Sequence, residues 1–178
     1  FTTSSAPPTA ITNSATSLTG TSATLNGSGN PNGFTTTGWF RYSTVSPGTG
    51  NNSFGIRAPA SDGANLGAGV STVPYSQGIA GLIPGTTYFY CAITENAQGM
   101  SFGAIQTFTT PLPPTATTNS ASSITQTTAT LNGTGTPNGA ATTGWFRYST
   151  TNPGAANDVF GTRAPTSGGT ALGAGYSA

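Results

Sequence analysis

Histidine and lysine are missing from this 178-residue chain, cysteine occurs once, and the acids number three: Asp62, Glu95 and Asp158. General acid–base and nucleophilic catalysis need a positioned imidazole, a carboxylate pair or an activated thiol or amine. The chain is therefore read as not an enzyme, with no catalytic residue. Zinc asks for clustered Cys and His, and calcium for several convergent carboxylates. No metal or cofactor is expected, and Asp62 has Gly168 at the matching position of a second copy of the sequence described below. The positive charges are Arg41, Arg57, Arg147 and Arg163, giving a formal net charge of +1. Four scattered guanidiniums make neither the basic stripe that nucleic acid requires nor a polybasic membrane patch. No apolar run approaches the roughly 20 residues of a spanning helix, so no membrane insertion is expected in this window. The missing lysine also removes a Lys–Asn isopeptide crosslink.

What the chain does have is threonine (36), serine (19) and an internal repeat. Leu, Ile, Val and Phe make only 27 of 178 residues, but disorder would also call for a high net charge. Pro7 to Thr72 aligns without a gap on Pro113 to Ala178, an offset of 106 residues with 44 of 66 pairs identical. Residues 1–6 then read as the end of a preceding repeat and a linker, because Phe1-Thr2-Thr3 matches Phe108-Thr109-Thr110. Residues 7–112 are a complete repeat with its linker, and 113–178 the first part of the next.

Gly38-Trp39-Phe40-Arg41-Tyr42-Ser43-Thr44 returns letter for letter as Gly144 to Thr150. It reads as a strand whose alternation sends Phe40 and Tyr42 to one face and Trp39 and Arg41 to the other. Thr9 to Thr19 and Ser22 to Gly27 read as two earlier strands, followed by dense turn chemistry through Gly33. Pro47 to Gly69 holds no period and reads as a long excursion with at most one short strand, near Phe54 to Arg57. Strands return at Tyr75 to Leu82, through Tyr88 to Thr94, and up to Thr110. About seven short strands and nothing helical predict an all-β fold, a tandem array of antiparallel β-sandwiches with the second copy truncated.

Leu82-x-Pro84-Gly85-Thr86-x-Tyr88-x-Tyr90-x-Ala92 resembles the corner and penultimate strand of fibronectin type III domains. Ala23-Thr24-Leu25-Asn26-Gly27, Asn30-Pro31-Asn32-Gly33 and the aromatic strand are similar to a bacterial variant found in tandem on secreted proteins. The resemblance implies an immunoglobulin-like two-sheet sandwich in which the Tyr88 hydroxyl bonds back to the backbone just upstream. It covers the complete repeat except the excursion. Asn26 stands where the animal pattern has a core tryptophan.

Alternation leaves Phe89, Cys91 and Ile93 on the outer face beside Trp39 and Arg41. Two readings stay open: a local one, with the guanidinium over the indole and the long loop covering the rest, and an assembly contact through Trp39, Arg41, Phe89, Cys91 and Ile93, with Trp145 and Arg147 in the second copy. Cys91 is either a free thiol under a loop or paired with another chain. Phe54 and Arg57, repeated as Phe160 and Arg163, read as loop anchors or partner contacts. Asn26, Asn51 and Asn132 match the N-glycosylation sequon, the first and last more simply as turn residues. The expected function is a structural repeat of an extracellular or cell-surface fibre, stalk or sheath whose partner is itself. The alternative is an adhesin or carbohydrate-binding module using Trp39 or Tyr75 and the long loop.

Overall fold

The computed structural model describes residues 6–176, so the assignment of Phe1-Thr2-Thr3 to a preceding repeat lies outside the described residues. The chain divides into two compact units, Phe1–Pro111 and Leu112–Ala178. Both are all-β, with no helix among the described residues.

The first unit holds nine strands: β1 (Ile11–Thr16), β2 (Ser22–Gly29), β3 (Thr36–Ser43), β4 (Ile56–Ala58), β5 (Ala64–Gly67), β6 (Val73–Ala80), β7 (Thr87–Asn96), β8 (Gly99–Phe102) and β9 (Gln106–Thr109). One sheet runs β1-β2-β6; the other is centred on β3 and β7, with β4 and β5 along the free edge of β3 and β8 and β9 along the free edge of β7. All pairs are antiparallel. The excursion is therefore more ordered than its composition suggests. It contributes two strands rather than one, because β3 has a free edge whose backbone groups need partners.

The inner faces follow the period of two. Ala23 and Leu25 from β2, Phe40 and Tyr42 from β3, Tyr75 and Ile79 from β6, and Tyr88, Tyr90 and Ala92 from β7 bury together with Phe108. Each large ring or branched chain taken out of water stabilises the unit by roughly 1.5–3 kcal/mol. The rings pack closely: Phe40 and Tyr75 meet tilted with centroids 4.9 Å apart, and Tyr88 stacks nearly parallel on Phe108 at 5.4 Å. Gly38 is required beneath Tyr75, since a Cβ there would come within 2.9 Å of the ring. The Tyr88 hydroxyl accepts a hydrogen bond from the Ile83 backbone N–H at 3.0 Å, the geometry the resemblance implies for the corner.

The second unit carries the counterparts of β1 to β5: β10 (Thr115–Ser122), β11 (Thr130–Thr136), β12 (Thr142–Gly144), β13 (Phe146–Tyr148), β14 (Thr162–Ala164) and β15 (Thr170–Gly173). They pair as β10-β11, β12-β15 and β13-β14.

Candidate functional site

The β3/β7 sheet has two buried faces, and the second is the candidate site. Trp39 is only 3% exposed, and Cys91 and Ile93 are completely buried; Phe54 from the excursion and Ile105 pack onto them. The side-chain alternation is as expected, with these residues opposite Phe40, Tyr42 and Tyr90. Of the two readings left open for this face, their burial matches the local one. The excursion folds back over the outer face, so Trp39, Cys91 and Ile93 are covered by their own unit and offer no surface to another chain. Phe89 and Arg41 are half-buried, and Phe89 belongs to neither cluster. Tyr75, the other candidate platform aromatic, is an inner-face core residue whose hydroxyl donates to the Ile93 carbonyl at 3.0 Å. Burial raises its pKa, only partly offset by that bond. With both rings inside, a glycan platform built on Trp39 or Tyr75 is ruled out in this unit.

A polar clamp holds the loop down. The Asn52 side-chain oxygen accepts from the Trp39 indole N–H at 3.1 Å and from Arg41 Nε at 3.3 Å. Arg41 also donates to the carbonyls of Phe54 and Gly55, both at 3.1 Å. The cation over the Trp39 ring is Arg57, 4.7 Å from the centroid, not the neighbouring Arg41 that alternation suggests. Register explains the difference. Arg57 sits opposite Arg41 on β4, while Arg41 is drawn to the loop carbonyls. Arg57 also donates to the carbonyls of Pro59 at 2.6 Å and of Asp62, closing the loop on itself. Phe54 and Arg57 thus both anchor the excursion to the sheet.

Beneath the clamp Cys91 is a free thiol. It donates to the Gly103 carbonyl at 3.1 Å, and burial pushes it up to about 11, opposed by hydrogen bonding to Thr12 and Gly103. Gly50 lets the loop lie against it, because a Cβ there would stand 2.8 Å from Sγ. Pairing with a cysteine of another chain would require this lid to open.

The second unit repeats the clamp. Asp158 takes the place of Asn52 and accepts from the Trp145 indole at 2.8 Å and from Arg147 Nε at 3.0 Å, which is also an ion pair. Arg147 donates to the Phe160 carbonyl at 3.1 Å, and Arg163 lies 4.7 Å over the Trp145 ring. The Asp158 carboxyl is held below the usual range by the indole and guanidinium hydrogen bonds, then by the charges of Arg147 and Arg163. Here Trp145 is 42% exposed.

Asn26 and Asn132 are not turn residues; they lie inside β2 and β11. Asn26 Nδ2 donates to the Ser14 carbonyl at 2.8 Å and Thr16 Oγ1 at 3.0 Å, and Asn132 Nδ2 to the Ser120 carbonyl and Ser122 Oγ, both at 2.9 Å. Each spans the register shift between the first two strands of its unit. Asn51 lies in the loop. Residues that sequence reasoning missed are Asn52, Asp158 and Gly50. The Asn-to-Asp pairing at the 106-residue offset, each thirteen residues after its tryptophan, was the available signal for the first two.

Among the described residues no group of three or more His, Cys, Asp or Glu is placed to hold a metal ion. No family model matches the chain, and no curated protein matches it. Among solved structures it is similar to the short and long forms of the sensor domain of the anti-sigma factor RsgI4 from Pseudobacteroides cellulosolvens. Identity is 19% to each, with TM-scores of 0.40 and 0.38; the matches cover 60% and 65% of this chain and 97% of each of those. A likeness at that level carries no functional inference.

Proposed function

We propose that the chain is part of an extracellular or cell-surface fibre, filament or sheath built from fibronectin type III-like modules joined end to end. The observation that carries this is where the backbone enters and leaves the first unit. At one end the Asn32 side chain donates to the Pro7 carbonyl at 2.6 Å, and Asn96 donates to Pro31 at 3.0 Å. At the other, Gly85 N–H donates to the Thr110 carbonyl at 2.9 Å, and Leu82 N–H to Thr21 at 3.0 Å. Pro7 and Thr110 therefore lie at opposite ends of the strands of this unit, which supports the reading of modules strung in series. The sheet order β1-β2-β6 against the β3–β7 sheet also fits the fibronectin type III reading.

The covered outer face alters the expected assembly. Trp39, Cys91 and Ile93 stiffen the module from within instead of supplying lateral contacts, and partners of this chain are further modules of its own kind meeting at the ends. A low charge leaves little repulsion between identical units. Electron microscopy of the native material tests the reading: regular filaments with a repeat set by one module are expected, and dispersed single molecules would overturn it.

A further inference from the structure

Three asparagines carry the sequon, and the two copies of the repeat separate those the fold consumes from the one it does not. A carboxamide nitrogen has two protons to donate. Asn26 Nδ2 spends both on Ser14 and Thr16, and Asn132 Nδ2 both on Ser120 and Ser122, across a strand pair. A sugar on either nitrogen would take one proton and insert bulk between paired strands. Asn51 Nδ2 spends one, on the Thr49 carbonyl at 3.2 Å. Its other proton has no partner among the described residues.

The hydroxyl of the sequon is the second observation. Asn51 Oδ1 accepts from Ser53 N–H at 2.9 Å, Phe54 N–H at 3.0 Å and Ser53 Oγ at 2.8 Å. In the second unit Asn157 makes the same turn, accepting from Val159 N–H at 2.9 Å and Phe160 N–H at 3.1 Å. Valine thus replaces Ser53 without loss of the turn. The turn explains the asparagine but not the serine, and the matching side chain, Val159, is 85% exposed.

We infer that Asn51, half-buried in the clamp loop beside an exposed Ser53, is an N-linked glycan acceptor. This rests on the exported reading above. Asn51 Nδ2 attacks the anomeric carbon of a polyprenyl-diphosphate-linked oligosaccharide. The C–N bond forms as the C–O bond to the diphosphate breaks, polyprenyl diphosphate leaves, and the displaced amide proton passes to a base of the transferring enzyme. The remaining N–H keeps the Thr49 bond.

The test is to secrete the whole chain behind an added leader from a host that N-glycosylates, together with a reporter of established sequon use, and to map peptides by mass. A glycan on the Asn51 peptide is expected, with the Asn26 and Asn132 peptides bare. Ser53→Val should abolish it without moving the melting temperature, and Ser53→Thr should retain it. A bare Asn51 in secreted chain whose reporter is glycosylated overturns the inference, as does equal occupancy at Asn26. Because the leader imposes secretion, this outcome is separate from the micrograph that tests the fibre.

Discussion

Trp39 and Trp145 sit in identical seven-residue stretches, each donates its indole N–H to the residue thirteen positions on, and each lies under the equivalent arginine, yet one is 3% exposed and the other 42%. What differs is β7. In the first unit it pairs with β3 from Thr37 through Ser43 and brings Ile93 opposite Trp39 and Cys91 opposite Arg41. The second unit has no counterpart of β6 to β9 among its described residues, and there the β3 sequence is divided into β12 and β13 with Trp145 between them. The clamp is thus a local device, complete within one hairpin and its loop. The burial of its tryptophan is a long-range result.

The sharpest way to break this comparison is at the ring shared by both units. Phe40→Ala removes a fully buried side chain and should cost about 3–5 kcal/mol in denaturant unfolding, while Phe146→Ala, at a half-buried site, should cost much less. Equal losses would mean that the two environments are alike. A second test is optical and chemical. With Trp145→Phe, the remaining Trp39 should resist aqueous quenchers that reach Trp145 in Trp39→Phe, and Cys91 should resist thiol reagents at pH 8 until the chain is unfolded. Since the folded thiol titrates near 11 and its ordinary value is 9.0, stability from its burial is full below 9 and lost as pH rises through 11.

Smaller effects should be shared rather than different. Asn26→Ala and Asn132→Ala each remove a side chain bridging the same register shift and should each cost about 1 kcal/mol, measured by thermal unfolding. The smallest effect separates the clamps by pH. The folded Asp158 carboxyl titrates below its unfolded value of 3.8, so the ion pair contributes above 3.8 and its contribution is lost as pH falls through the folded value. Asn52 has no such titration. Asp158→Asn should remove the acid sensitivity of the second clamp, and Asn52→Asp should confer it on the first, read from tryptophan emission down a pH series.

Much of the fold was legible because strands announce themselves by a period of two. That period put Phe40, Tyr42, Tyr88, Tyr90 and Ala92 on one face and Trp39, Cys91 and Ile93 on the other. The excursion was less legible, since β4 and β5 are three and four residues long and exist by pairing with β3 rather than by their own propensity. The clamp was half visible: the repeated Phe54 and Arg57 pointed to anchoring. Asn52 did not stand out, because an asparagine beside a second asparagine in a Gly-rich loop looks like turn chemistry.

The sequence by itself determined the strand periodicity, the 106-residue repeat and the lack of histidine and lysine, all properties of residue type and spacing. Only the tertiary structure decided that the outer face is closed. Whether a side chain that points away from one core meets water depends on β7 lying beside it and a loop returning over both, and that return is set by partners that spacing along the chain does not reveal: Arg57 over Trp39, Asn52 between Trp39 and Arg41, and Gly50 against Cys91.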